Sequence, residues 1–272
     1  MTKQIPLGQS TAYPERYDRE LLFPVARQGK RTELGITQSL PFVGKDIWTA
    51  YEVSWLNSKG KPQVAIAEFY FPCESPFIVE SKSFKLYLNS FNQERLNSMA
   101  ELKARLITDL SEAVKSDVDV LMFSLSEYQS KGLGDLMGAC LDDLDIDCEI
   151  YDYQPELLTL KSDGALADEV VYSHLLKSNC LITSQPDWAT LQIRYQGNAI
   201  DHASLLRYIV SFRNHNEFHE QCVERIYTDI MQQCQPKQLT VIARYTRRGG
   251  LDINPWRSSH ETNIEFMRLA RQ

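Results

Sequence analysis

No stretch of this 272-residue chain approaches the roughly 18 consecutive apolar residues that a membrane-spanning helix requires. The opening residues, Met1 to Pro14, are polar and carry no apolar run of the signal-peptide kind, so a cytoplasmic protein without a membrane partner is expected. No Cys-x-x-Cys pair occurs among Cys73, Cys140, Cys148, Cys180, Cys222 and Cys234. Without a secretion signal these should be reduced thiols, most of them small core residues. The five histidines (His174, His202, His215, His219 and His260) and the cysteines show no metal-ligand spacing, so no metal is expected. Walker A and Gly-x-Ser-x-Gly patterns are absent. Gly132-x-Gly134-x-x-x-Gly138 has the look of a dinucleotide fingerprint, but no strand runs directly into it and no βαβ unit surrounds it. Positive charge is in deficit: 29 Lys and Arg against 36 Asp and Glu give a net charge of −7. That balance argues against a protein that wraps nucleic acid, which needs a basic stripe, while leaving room for a small anion held by a few local cations.

What is present is an ordinary globular composition, 43% hydrophobic and 24% charged, large enough for a core without disulfide or metal staples. Residues 1–45, with Pro6, Pro14, Pro24 and Pro41, read as an extended arm. Residues 48–57 and 62–71 read as strands joined by a turn at Ser58-Lys59-Gly60-Lys61. From Ser83 the apolar period becomes helical through Phe84, Leu88 and Phe91. A second helix follows on Leu102, Leu106, Leu110 and Val114, and residues 118–124 return to strand. Residues 126–160 read as a connector with one more strand, from Ile146 to Tyr153. The order then recurs: strands at 168–175 and 188–196, helices at 201–213 and 216–233, a strand at 238–246. Ser83, Phe84, Tyr87, Leu88, Ser90 and Phe91 correspond at constant offset to Ser204, Leu205, Tyr208, Ile209, Ser211 and Phe212. Such self-similarity predicts two copies of one unit. Hairpins with clustered helices predict an antiparallel α+β class rather than a doubly wound sheet.

Four segments have residues suited to chemistry, and each also has a plainer explanation. In Glu80-Ser81-Lys82-Ser83-Phe84-Lys85-Leu86-Tyr87 a strand gives way to a helix that Ser81 or Ser83 can cap; its free N–H groups attract anions and Lys82 and Lys85 add charge. The plainer reading is a capped amphipathic helix with a solvated basic face. Cys180 lies in a polar, Pro-containing stretch seven residues before Asp187: a nucleophile with a proton-shuttling carboxyl, or an incidental thiol and a turn aspartate. Glu220, beside His219, can accept two hydrogen bonds from a guanine-like edge, or simply favour the helix dipole. Arg247-Arg248-Gly249-Gly250 can bring guanidinium and backbone to a phosphate, or form a solvated turn.

Taken together, these segments resemble the QueF family of 7-cyano-7-deazaguanine nitrile reductases. Residues 80–87 match the family signature Glu-[Ser/Leu]-Lys-[Ser/Ala]-apolar-Lys-[Leu/Tyr]-aromatic throughout. Residues 178–188 resemble its nucleophile segment, 219–220 its His-Glu pair, and 248–255 its Arg-Gly segment running into Asp-Ile-Asn-Pro. The signature lies in the first half and the cysteine in the second, as in the family's long, two-unit members. The resemblance implies two tandem tunnelling folds (T-folds), each an antiparallel sheet with two helices on one face: an arm at 1–45, a first unit at 46–150 and a second at 151–272. It implies a homodimer whose active site lies where two units meet, a small deazapurine substrate, NADPH as cofactor, and no direct contact with nucleic acid. It also implies Cys180, Asp187 and His219 as catalytic residues, Ile78, Val79, Glu80, His219 and Glu220 around the substrate, and Ser81, Lys82, Arg248 and Gly249 around NADPH. Against it stand another T-fold enzyme, such as a pterin-forming cyclohydrolase, a T-fold purine- or pterin-binding module without catalysis, and a redox sensor using Cys180.

Overall fold

The computed structural model describes residue 14 and residues 16–272; most of the polar opening segment, Pro6 included, lies outside the described residues. In chain order the elements are β1 (Pro24–Ala26), α1 (Gln28–Glu33), β2 (Val43–Leu56), β3 (Pro62–Pro72), β4 (Phe77–Val79), α2 (Ser81–Asn89), α3 (Met99–Val114), β5 (Asp119–Phe123), α4 (Leu125–Ser130), β6 (Ala139–Cys140), β7 (Leu166–Asn179), β8 (Pro186–Asn198), α5 (His202–Ser211), α6 (His219–Gln233), β9 (Gln238–Tyr245) and β10 (Leu251–Ser258). The class is α+β with mainly antiparallel sheet. No described helix is long and apolar enough to cross a membrane. The arm is not extended throughout: it carries a 3-10 turn at Arg19–Leu21, β1 and α1.

The chain forms two compact units. The first comprises the described residues up to Lys30, Asp46–Gly132 and Arg247–Asp252; the second comprises Arg31–Lys45, Leu133–Thr246 and Ile253–Gln272. In the first unit the strands run β5-β3-β2, with β3 and β5 antiparallel. The predicted turn between β2 and β3 is there: Asn57 N–H donates to the Lys61 carbonyl, the Asn57 side chain accepts from Lys59 N–H, and Gly60 takes φ +80°. Phe84 of α2 packs edge-on against Trp48 and Phe69 of the sheet at 5.2 and 5.0 Å. The predicted face of α3, Leu102, Leu106, Leu110 and Val114, is fully buried. Ser98 caps that helix through Glu101 N–H, and Lys115 ends it in the left-handed region.

In the second unit β10, β9, β8, β7 and β6 lie side by side; only β6–β7 is parallel. The strands β9 and β10 are buried on almost every residue. One reason is that the last residues fold back: Gln272 donates to the Tyr245 carbonyl and to Asn254 Oδ1, and Leu269 is buried. One sequence expectation fails here. Ile146 to Tyr153 forms no strand, because its groups are spent elsewhere: the Tyr151 carbonyl accepts from Asn214 N–H and the Tyr153 hydroxyl donates to Asp229. The Arg-Gly segment turns at Arg248–Leu251 and runs on into β10.

The internal repeat extends into the hydrogen bonding. In the first unit Tyr17 and Tyr87 both donate to Asp109, Ser90 Oγ accepts from Asp18 N–H, Ser83 Oγ accepts from Phe23 N–H, and the Phe23 carbonyl accepts from Glu80 N–H. In the second, Tyr153 and Tyr208 donate to Asp229, Ser211 Oγ accepts from Gln154 N–H, Ser204 Oγ accepts from Thr159 N–H, and the Thr159 carbonyl accepts from Asp201 N–H. The polar Tyr and Ser residues that keep register in the sequence are the ones that pin a preceding strand of chain to each helix pair.

Candidate active site

Cys180 sits at the end of a hairpin rather than in a long loop. The β7–β8 ladder continues to Ser178↔Asp187 and Asn179↔Pro186, and Cys180 N–H then donates to the Gln185 carbonyl at 2.9 Å. Residues of a strand pair alternate faces with period two, so Ser178 and Cys180 share one face with Asp187 and Gln185. The seven-residue separation of Cys180 and Asp187 is thus a diagonal neighbour relation on one face. Ser184 closes the turn with φ +55°.

A second segment is clamped alongside. Asn179 N–H donates to the His215 carbonyl, and the Asn179 carbonyl accepts from Glu217 N–H. Glu217, 1% exposed, takes a bidentate bond from Arg225 at 2.7 and 2.9 Å and a bond from His215. Burial raises the Glu217 pKa, but the Arg225 and His215 bonds outweigh it and hold it below the ordinary carboxylate value. The clamp delivers the start of α6 to the hairpin. His219 Nε2 comes within 3.1 Å of the buried Asp187 Oδ2. The imidazole stacks on the Tyr245 ring at 3.8 Å and 15°, and its Nδ1 meets no hydrogen-bonding atom among the described residues. Glu220 follows in the first helical turn, buried, where the helix dipole favours a carboxylate.

The two cysteines of this region differ. Cys180 is partly exposed. Cys222, one turn into α6, is fully buried, and burial pushes its thiol up to about 12, reinforced by the charge of Glu217. Only a thiol that can ionise near neutral pH serves as a nucleophile, which sets Cys222 aside.

The first unit holds the remaining predicted residues. Ile78 and Val79 are buried on β4, which pairs with β1 through Val25↔Ile78 and Pro24↔Val79. The cap of α2 is neither Ser81 nor Ser83 but Glu80: its two carboxylate oxygens accept from Lys82 N–H at 2.9 Å and Ser83 N–H at 2.8 Å, while Ser83 Oγ donates back to the Glu80 carbonyl. An ionised carboxylate has about four lone-pair directions, so the cap fixes the group without exhausting it. Lys82 and Gly249 line one cavity of about 220 Å³ together with Glu52, Lys85 and Gly250. Ser81, the first residue of α2, and Arg248, the first of the turn, precede Lys82 and Gly249 in the chain. Arg248 and Leu251 exchange backbone hydrogen bonds around Gly249 (φ +56°) and Gly250 (φ +72°), a two-residue hairpin turn that needs positive φ twice. A Cβ on Gly250 would lie 2.4 Å from the Glu52 carboxyl carbon. Two lysines and a bare turn around one cavity fit an anionic, phosphate-bearing cofactor.

Sequence reasoning missed one of these parts outright. Tyr245 gave no signal, being one apolar-looking strand residue among several. Lys85 and Gly250 belong to the predicted anion-attracting segments but are not among the residues expected around NADPH.

Residues 13–122 match the family described as nitrile reductase, 7-cyano-7-deazaguanine-reductase N-term, and residues 186–264 match the family described as QueF-like protein. A protein of Cupriavidus metallidurans named NADPH-dependent 7-cyano-7-deazaguanine reductase is 56% identical over 259 residues, covering 94% of each chain. Proteins of the same name from Dechloromonas aromatica and Hydrogenovibrio crunogenus are 58% identical over 255 residues (93% of this chain, 90% of theirs) and 56% identical over 267 (98% and 96%). Identity at this level along nearly the whole length, together with both family matches, means that the chain belongs to the QueF family of 7-cyano-7-deazaguanine nitrile reductases.

Proposed function

We propose that this chain reduces the nitrile of 7-cyano-7-deazaguanine to the aminomethyl group of 7-aminomethyl-7-deazaguanine, a step of queuosine biosynthesis, as a cytoplasmic homodimer of tandem tunnelling folds. The observation that carries the reading is the hairpin end, where Cys180 and Asp187 share a face and His219 meets Asp187 at 3.1 Å. The duplicated Tyr-Tyr-Asp and Ser networks support the tandem arrangement.

A nitrile carbon is a poor hydride acceptor. The Cys180 thiolate adds to it, forming a C–S bond and turning the triple bond into the C=N of a thioimide, while the nitrogen takes the proton that Asp187 supplies. NADPH, when bound, supplies the hydrides, two per nitrile, so that one nitrile, two NADPH and two protons give one primary amine and two NADP⁺. Cys180 leaves again as thiolate when the C–S bond breaks. His219, held by Asp187 and by the Tyr245 stack, then supports proton delivery to the nitrogen. A closed pocket protects the imine, which free water would hydrolyse. Glu80 and Glu220 read the amide and amine edge of the base; a carboxylate left buried without a partner penalises the wrong base. Ile78 and Val79 supply apolar wall. Lys82, Gly249, Ser81 and Arg248 would hold NADPH, with Lys85 lining the same cavity as Lys82 and Gly249.

The test is an anaerobic mixture of protein, 7-cyano-7-deazaguanine and NADPH, followed by nicotinamide absorbance and intact mass. Two NADPH consumed per nitrile, and a substrate-sized adduct on Cys180 when NADPH is withheld, are expected. Neither signal would leave a purine or pterin binder.

A further inference from the structure

Away from the hairpin end, the second unit gathers Cys140, Asp142 and His174, whose ligand atoms all lie within 4.8 Å of one another. Nothing in the sequence spacing announces this, since 32 residues separate Asp142 from His174. The fold builds the cluster. Cys140 is on β6, a two-residue edge strand paired in parallel with β7 through Cys140↔Tyr172, and the Leu141 N–H to Tyr172 carbonyl bond continues the pairing toward Asp142. The register of β7 against β8 slips between Ser173 and Leu176. Such bulges re-aim side chains, and this one falls at His174.

Two of the three donors are already oriented. The Asp142 carboxylate accepts from Ser173 Oγ at 2.6 Å and from His174 N–H at 3.0 Å. His174 Nδ1 lies 2.8 Å from Thr190 Oγ1, an arrangement that suits a ring with its proton on Nδ1 and its lone pair on Nε2. Hydrogen-bonded carboxylates and imidazoles are the usual outer supports of metal ligands. Cys140 is exposed, so its thiol can lose a proton to an incoming ion. Bonds of about 2.0–2.3 Å place tetrahedral donors about 3.5 Å apart, so small side-chain rotations close the triad.

We propose that Cys140, Asp142 and His174 form a binding site for a thiophilic divalent ion, Zn²⁺ by preference, with a fourth position open to water. One thiolate, one imidazole and one carboxylate make a mixed donor set that suits zinc better than calcium or magnesium. The ion fastens the connector ahead of β7 to the β7 bulge. It takes no part in the nitrile chemistry, which uses Cys180.

Cobalt(II) is the probe, added to full-length protein freed of metal by chelation. A thiolate-to-cobalt absorption band saturating at one ion per chain, and displaced by Zn²⁺, is expected. Cys180→Ala should keep the band. Cys140→Ser and His174→Gln should lose it, with far-UV circular dichroism unchanged because both positions are at least partly exposed. Thr190→Val, which removes only the hydroxyl beside Nδ1, should weaken binding on the order of 10-fold. A band that survives Cys140→Ser, a band that disappears in Cys180→Ala, or no binding below millimolar cobalt would overturn the site.

Discussion

His219 reaches Asp187 through Nε2 at 3.1 Å and rests its ring on Tyr245, so one imidazole is held both at its edge and on its face. The second nitrogen, Nδ1, has no protein partner among the described residues although it is buried. A buried imidazole nitrogen without a partner is costly, which makes it a natural position for a substrate or a water. His219→Gln should therefore weaken substrate binding and slow turnover together, seen as a rise in KM with a fall in kcat. A change in neither would remove His219 from the site.

Cys180 and Cys222 should separate cleanly in labelling. Near neutral pH, iodoacetamide should modify Cys180 and spare Cys222, whose buried thiol is pushed up to about 12. Cys180→Ala should abolish both the substrate adduct and turnover, whereas Cys222→Ala should leave the adduct mass intact. Intact-mass spectrometry reads both, and an adduct persisting in Cys180→Ala would defeat the covalent route.

Asp187→Asn keeps the shape of the carboxyl and removes its acid function. Adduct formation should slow by roughly 10²–10⁴-fold while the affinity for the nitrile changes little. Stopped-flow observation of the adduct together with equilibrium titration distinguishes the two, and unchanged adduct kinetics would argue against Asp187 as the acid.

Gly250→Ala should cost about 1–2 kcal/mol from φ +72° alone. The exposed Glu52 side chain, which the new Cβ would meet, can swing aside at little further cost. The melting temperature should fall and the KM for NADPH rise. Lys82→Ala should raise the same KM without lowering the melting temperature, which separates cofactor contact from turn strain.

Arg225→Leu strips Glu217 of its bidentate partner and should destabilise the second unit by about 3–5 kcal/mol, as expected for an uncompensated buried charge. The pH dependence has a definite sign. Glu217 is held below its ordinary value of 4.5 in the fold, so its contribution is complete above that value and is lost as pH falls through the lower folded one. Urea midpoints measured from pH 7 down to pH 3 should converge for the wild type and Arg225→Leu at the acid end. A gap that stays constant would place the stabilisation elsewhere.

Much of the fold was legible because helices and strands bury one face at a fixed period. The α3 face and the β2–β3 turn could be read directly from apolar spacing and from Ser58-Lys59-Gly60-Lys61. The Ile146–Tyr153 segment misled for the same reason: alternation signals a strand only where a partner strand exists, and here Asn214 and Asp229 take its groups instead. The cap of α2 misled because Ser81 and Ser83 are good capping residues, yet Glu80 stands one position earlier and reaches both amides.

By itself the sequence determined the class of fold, the repeated Ser, Tyr and apolar spacing and the short motifs that mark the family, because these depend on residue type and spacing along the chain. Only the tertiary structure decided what lies against what. The ladder register put Cys180 and Asp187 on one face, the Asn179 clamp carried His219 to Asp187, β9 slid Tyr245 beneath that ring, and the bulge in β7 turned His174 toward Cys140 and Asp142. Each depends on strand pairing between distant residues, and a one-residue slip in any of them would send the same side chains to the opposite face.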